Sequence, residues 1–360
     1  MYLQLIINPG STSTKLALYR DEEKIVQEDV THDPASFAHF KNIADQAPLR
    51  LEFIYDFLDR NGVKKEELSC VMGRGGLLPG LKAGGYVLNH DLKEALSGHL
   101  SSPHASNLGG ILAYEIANPL GIPAYIYDAV TSAELPELAR ITGTPRVYRN
   151  SYCHALNSRA QAIRYAKQLG KEYADLKLLV VHLGGGISIS THVGGRIVET
   201  VGDDEGPFSP ERLGTIPIQE LLAMCFSGKY TPTEMKKLAR GQGGMIAHLG
   251  TADARIIEQR IADGDEYARK IFEAQAYQIA KGIGILAAAQ KGDLDAIILT
   301  GGMAYSKMLT GWVCEYVSFI APVVILPGEN EMEALAFGGL RLLTGKEQAN
   351  IYHLPEDYKS

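Results

Sequence analysis

The feature that most constrains this 360-residue chain is a strand–turn–strand unit that occurs twice. The first copy runs Leu3-Gln-Leu-Ile-Ile-Asn-Pro-Gly-Ser-Thr-Ser-Thr-Lys-Leu-Ala-Leu-Tyr19. Leu3 to Ile7 is long enough for one buried strand, Asn8 to Ser11 is turn chemistry, and Lys15 to Tyr19 reads as a returning strand. The second copy is Leu178-Leu-Val-Val-His-Leu-Gly-Gly-Gly-Ile-Ser-Ile-Ser-Thr-His192. Ile6-Ile7-Asn8-Pro9-Gly10 lies over Val180-Val181-His182-Leu183-Gly184, and Lys24-Ile25-Val26 matches Arg196-Ile197-Val198. A repeat of domain size fixes architecture first. It predicts two units, each opening strand, turn, strand, turn, strand. Facing each other, they would put two turns on opposite walls of one cleft.

The first tip carries Asn8, Ser11, Thr12, Ser13, Thr14 and Lys15 with almost no bulky side chains. Such a tip offers backbone N–H groups, hydroxyls and one ammonium, the groups that cradle a phosphate. An ordinary Ser/Thr-rich turn is the plain alternative. Against it stand Gly184-Gly185-Gly186 and a third glycine turn, Gly301-Gly302, each at the end of an apolar strand. No Walker A pattern is present, since Thr344-Gly345-Lys346-Glu347 lacks the hydroxyl after Lys, and no G-x-G-x-x-G follows a strand. The histidines show no zinc spacing.

A chain of this length favours two domains. A net charge of −7 without a basic run argues against nucleic-acid binding. No apolar segment is long enough to span a bilayer, and the opening is read as running directly into a strand, so no signal peptide is expected. Cys70, Cys153, Cys225 and Cys314 have no CxxC spacing and read as buried, reduced thiols, so a cytoplasmic protein is expected.

Between the turns, strands alternate with helices, which means a mainly parallel or mixed sheet with helices on its faces. Helical spacing is read around Phe37–Phe40 and Leu51–Leu58, over 91–117 with a break at 101–103, and over 155–169, 267–290 and 333–343. Strands are read at Leu68–Met72, Ala124–Tyr127, Asp295–Leu299 and Val323–Leu326. The expected division is 1–150, with 333–360 returning to it, and 151–332. Ligands gather where strand carboxyl ends meet loops.

In order and spacing, the motifs resemble the acetokinase family. They are Asn8-Pro-Gly-Ser-Thr-Ser-Thr-Lys15, Arg74-Gly-Gly76, Asp128, His154-Ala-Leu-Asn157, His182-Leu-Gly-Gly-Gly186, Ser209-Pro-Glu-Arg212, Asp253-Ala-Arg255, Thr300-Gly-Gly302 and Asn330-Glu331. Within the family the closest likeness is to the butyrate kinases. The resemblance implies a duplicated actin/sugar-kinase-like (ribonuclease H-like) α/β fold with ATP and Mg²⁺ in a central interdomain cleft. It implies phosphoryl transfer to a short carboxylic acid, butyrate or a branched relative. Acetate or propionate as substrate, and an actin-like ATPase switch with no acid substrate, are the alternatives. A homodimer or larger homo-oligomer is expected.

The resemblance assigns ATP to Asn8, Ser11, Ser13, Lys15, His182, Gly184, Gly185, Gly186, Asp253, Ala254, Arg255, Gly301 and Gly302, and Mg²⁺ to Asp128 and Glu331. It assigns catalysis to Arg74, Asp128, His154 and Arg212. A carboxylate is already anionic, so the reaction needs cationic stabilisation and positioning more than a general base. Arg74 fits a bidentate clamp and His154 a donor to phosphoryl oxygens. On residue type alone a solvated loop arginine, a satisfied core histidine and two helix caps remain open. Two departures stand out. Acetate kinases carry Gly-Thr-Arg beyond the second hairpin, whereas here Leu213-Gly-Thr-Ile-Pro217 follows Arg212, and Asn330-Glu331 is followed by Met332 before Glu333. Leu77, Leu78 and Pro79 are the expected wall of an acyl pocket.

Overall fold

The computed structural model describes residues 1–37, 39–40, 42–98 and 100–356. Ala38 and His99, in stretches read as helical, and the last four residues of the expected C-terminal return lie outside the described residues. The strands, in chain order, are β1 (Leu3–Pro9), β2 (Ser13–Arg20), β3 (Glu23–Thr31), β4 (Cys70–Arg74), β5 (Gly85–Val87) and β6 (Ala124–Tyr127), followed by β7 (Leu178–Leu183), β8 (Ile187–Val193), β9 (Arg196–Val201), β10 (Ala296–Gly301), β11 (Val323–Pro327) and β12 (Asn350–Ile351). By its internal contacts the chain divides into Met1–Ser132 with Asn330–Ser360, and Ala133–Glu329. The sequence alone predicts these boundaries at 150/151 and 332/333.

The first unit holds a sheet of order β12-β5-β6-β4-β1-β2-β3, and the second a sheet of order β11-β10-β7-β8-β9. The shared part is one motif: β1–β2–β3 and β7–β8–β9 are antiparallel, while β4 and β6, or β10 and β11, add parallel strands. Even an irregularity repeats. The register shifts between Leu18 and Tyr19 in one unit and between Thr191 and His192, the equivalent residues, in the other. The tips differ: Pro9 pairs with Thr14 across Gly10–Ser13, while Leu183 pairs with Ile187 across Gly184–Gly186, one residue shorter. This is the duplicated ribonuclease H-like fold of the actin and sugar-kinase type.

β7 shows why these strands read as unbroken apolar runs. Leu179 and Val181 pack into a core with Phe272 and Ile279 of the helix Glu266–Ala289. Leu178 and Val180 pack on the other face with Ala162 and Ala166 of the helix Ala155–Gln168. A strand covered on both faces has no polar side to alternate with. In the first unit, Leu5, Ile7, Leu16 and Val71 meet Ile54 and Phe57 of the helix Ala47–Arg60. The helix Glu331–Leu343 packs on β1, β4 and β6 of the first unit.

Two details depart from the sequence reading. Cys70 and Cys153 are buried, but Cys225 is exposed because it lies on the helix Ile218–Phe226, which buries no residue. Leu78 is 1% exposed and belongs to the core of the first unit, while Pro79 is exposed, so only Leu77 of that loop is half-buried. Among the described residues no helix is long and apolar enough to cross a membrane.

Candidate active site

In the first unit the parallel strands β1 and β4 end side by side, with Ile7 opposite Gly73. That register sets Asn8 and Arg74 together at the carboxyl ends. Glu331 begins the helix Glu331–Leu343 above them. Asn8 Nδ2 donates to Glu331 Oε2 at 2.7 Å. Arg74 Nη1 donates to Glu331 Oε2 at 3.1 Å and to Asn8 Oδ1 at 3.2 Å, and Nη2 lies 3.0 Å from Glu331 Oε1. Three residues far apart in sequence thus form one charge-assisted cluster. Asp128 follows β6 with φ +43, buried, its Oδ1 accepting the Gly84 N–H at 2.7 Å. Beyond β1, Ser11 and Lys15 are exposed and Ser13 is half-buried.

In the second unit β7 presents His182, 3% exposed. Asn157 Nδ2 lies 2.9 Å from His182 Nδ1, and His182 Nε2 lies 3.3 Å from Glu329 Oε1. His154 stacks on His182 at 3.9 Å and 14° between planes, with Nδ1 2.8 Å from Ser188 Oγ. The glycine turn is packed unevenly. A Cβ on Gly184 would stand 2.8 Å from His182 Nε2, and one on Gly186 would stand 2.5 Å from the Arg212 guanidinium carbon. Gly185 is exposed, and a Cβ there meets only the Glu211 carboxylate at 3.4 Å, an ordinary contact. Ser209 Oγ donates to Gly185 O at 2.6 Å, so Ser209–Arg212 braces the turn from below.

Arg212 is paired with Asp203, which also accepts Arg240 Nη2 at 3.0 Å. Burial, and then the charge of Arg240, lower the Arg212 pKa to about 10. The turn beyond β10 is divided in the same way. A Cβ on Gly301, at φ +91, would overlap the Leu183 backbone, whereas Gly302 faces open space. Asp253 caps the helix Ala254–Ala262 by accepting the Arg255 N–H at 2.9 Å. Its carboxylate is held down to about 2, chiefly by the Arg255 side chain. Arg255 stands 89% exposed beside it, and Ala254 is half-buried between them.

The model of the Acetokinase family matches residues 148–321. "Probable butyrate kinase 2" of Caldanaerobacter subterraneus subsp. tengcongensis is 49% identical over 353 residues, covering 98% of this chain and all of that protein. The chain belongs to the acetokinase family. "Butyrate kinase 1" of Clostridium acetobutylicum is 46% identical over 354 residues, again 98% of this chain and 100% of the relative. The crystal structure of Porphyromonas gingivalis acetate kinase superposes with a TM-score of 0.78 at 20% identity, over 95% of this chain and 100% of that one, a likeness of fold.

Seen as an acetokinase-family chain, the structure brings Asn8, Arg74 and Glu331 together in one unit and His154, His182, Gly184 and Glu329 in the other. Arg212 lies under Gly186. The Asp253 and Arg255 side chains pair with each other. Sequence reasoning placed Asn157 in a family motif but gave it no role, and gave none to Ser188, Asp203 or Glu329. Asn157 had a signal, since it sits one helical turn after His154 and so faces the same way. Asp203 and Glu329 had none, because their partners are set by tertiary packing.

Proposed function

We propose that this protein transfers the γ-phosphoryl group of ATP to the carboxylate of butyrate or a related short or branched acid, giving an acyl phosphate and ADP, reversibly. Membership in the acetokinase family makes it a carboxylate kinase. Nearly full-length identity of 46–49% to two butyrate kinases is the observation that carries the choice of acid. A carboxylate oxygen attacks phosphorus, the bond from phosphorus to the bridging oxygen breaks, and that electron pair leaves with ADP. The step needs no general base, so the protein's part is to position two anions and stabilise the charge between them.

Arg74 supplies a planar donor at a strand end, where its fork can exchange Glu331 for a substrate oxygen. Arg212 and His154 supply donors from the second unit. The tip with Ser11, Ser13 and Lys15, the exposed Gly185 and the open Gly302 offer backbone and side-chain donors to phosphates, and Asp253 to Arg255 contact the nucleoside. Asp128 and Glu331 are oxygen donors of the kind Mg²⁺ takes together with phosphate oxygens and water. Among the described residues no group of three or more His, Cys, Asp or Glu builds a metal cage, which fits an ion carried mainly by the nucleotide. Bound there, Mg²⁺ would neutralise phosphate charge. Both Glu331 oxygens are engaged by Arg74 and Asn8, so Glu331 would reach the ion through water or after Arg74 turns away.

Four free thiols support a reducing, cytoplasmic setting. The exposed Ile218 and Phe226, at 69% and 83%, support self-association through that helix, which light scattering tests. A hydroxamate assay with ATP and a panel of acids tests the function. Acyl phosphate formation supports it. ADP release independent of any acid favours the ATPase switch instead.

A further inference from the structure

The first hairpin tip rests on a buried arginine that the proposed reaction does not use. Arg50 lies on the helix Ala47–Arg60 and is 1% exposed. Nη1 donates to Ser13 O at 3.2 Å and to Thr14 Oγ1 at 2.8 Å. Nη2 donates to Gly10 O at 3.0 Å, with Ser11 O at 3.4 Å. Nε and Nη2 also reach Gln46 Oε1, at 3.2 and 3.0 Å, and the cation lies 5.0 Å from the centroid of the Phe37 ring. Among the described residues it has no carboxylate partner. A buried guanidinium held only by neutral oxygens is costly, and burial lowers its pKa to about 10. Packing alone would be served better by an apolar side chain of similar volume.

What this arrangement does is orient peptide units. In a trans peptide the C=O of one residue and the N–H of the next point in opposite directions. Drawing the Gly10 and Ser11 carbonyls onto Arg50 therefore turns the Ser11 and Thr12 N–H groups away from the helix. Among the described residues neither N–H has a protein acceptor, whereas Gly10 N–H is spent on Ser13 O at 2.8 Å. The two open donors lie at the tip that also carries Ser11, Thr12 and Lys15. We infer that Arg50 is the positioning residue of the first phosphate turn: its fork gathers the Gly10, Ser11 and Ser13 carbonyls and so presents the Ser11 and Thr12 N–H groups to a phosphate of the nucleotide. This rests on reading that tip as a phosphate turn. Lysine would not substitute, because a tetrahedral ammonium cannot hold these acceptors in one plane.

The test is ATP titration by calorimetry on the full chain and its Arg50→Lys, Gln46→Met and Lys15→Met variants. Thermal midpoints without nucleotide and the amide resonances of Ser11 and Thr12 complete it. Arg50→Lys is expected to weaken ATP roughly tenfold or more, the worth of one charge-assisted hydrogen bond, and to lower the midpoint while still unfolding cooperatively, so the titrations are run well below it. Gln46→Met, which only loosens the fork, is expected to give a smaller loss in the same direction. ATP should move the Ser11 and Thr12 amide resonances in the parent and not in Arg50→Lys. A loss confined to Lys15→Met would overturn the role of Arg50 and leave the phosphate turn standing. Parent-like affinity in all three variants with unmoved amides would overturn both. If Arg50→Lys fails to fold, parent-like affinity in Gln46→Met overturns the inference and a weakened one supports it.

Discussion

Arg74 and Glu331 meet fork to carboxylate, with 3.0 Å from Nη2 to Oε1 and 3.1 Å from Nη1 to Oε2, tying the end of β4 to the first residue of the helix Glu331–Leu343. Both side chains are largely shielded, at 23% and 17% exposure, so deleting either strands the other. The pair serves the fold and is proposed to serve the reaction, and the two roles can be separated by experiment.

Arg74→Ala is expected to lower kcat about 100- to 1000-fold, the usual loss for a donor acting where charge develops, with a smaller change in the KM for ATP. Arg74→Lys should recover only part, lacking the planar fork. Arg74→Ala should also lower the thermal midpoint, because Glu331 then keeps only Asn8. Adding Glu331→Gln should restore the midpoint and leave kcat low. A double variant that regained turnover would reduce Arg74 to a structural partner of Glu331.

The second turn makes a sharper prediction than the glycine pattern does. Gly186→Ala pushes directly on the Arg212 guanidinium, which Asp203 holds in place. It should lower kcat more than it raises the KM for ATP. At Gly185 the protein itself has room for a methyl group, so Gly185→Ala should fold like the parent. Any loss there, larger still for Gly185→Val, reports crowding against the nucleotide. Parent-like ATP affinity in Gly185→Val would remove this turn from the site.

These cases show what was legible in the sequence. The duplicated hairpins were readable because buried strands and glycine turns are local patterns, and the family motifs marked Arg74, His154 and Glu331. The roles of neighbouring glycines were not readable. Gly184, Gly185 and Gly186 look alike in sequence, yet Glu329, Glu211 and Arg212 stand beside them in turn, each brought by long-range packing. The pairing of Glu331 with Arg74 was hidden for the same reason, since 257 positions separate them. Cys225 and Leu78 were misread because an apolar neighbourhood in sequence does not tell a core from an uncovered helix face.

Two buried histidines should make each unit lose stability in acid. Burial first, then the charge of Arg50, lowers His32 to about 4, although Asp29 opposes the shift. Burial, then the charge of Arg159, lowers His192 to about 3. Both are neutral in the folded chain, while in the unfolded chain they take up a proton near their ordinary value of 6.5. The stabilisation is therefore whole above that value and lost as pH falls through the window down to the depressed pKa. The expected slope for each histidine is about half of roughly 1.4 kcal/mol per pH unit at the ordinary value and approaches the whole of it about one unit below. Urea unfolding at a series of pH values between about 7 and 5.5 measures it, above most carboxylate titration. His32→Gln should flatten the first unit's share. A parent protein equally stable across that range would mean that neither histidine is held neutral.

Substrate length tests the choice of acid. Each further methylene buried in an apolar pocket contributes about 0.8 kcal/mol. Two of them favour butyrate over acetate by roughly tenfold or somewhat more in kcat/KM, if the pocket accepts both. Leu78 faces the core and Pro79 is exposed, so of the loop after Arg74 only the half-buried Leu77 remains a candidate wall. Leu77→Ala should then cost butyrate more than acetate, whereas a change in the core would lower both acids together through stability. The measurement is kcat/KM for acetate, propionate, butyrate and isobutyrate under one set of conditions. A preference for acetate would end the butyrate assignment. The carboxylate kinase would remain, because the Arg74 clamp and the phosphate turns do not depend on how long the acid is.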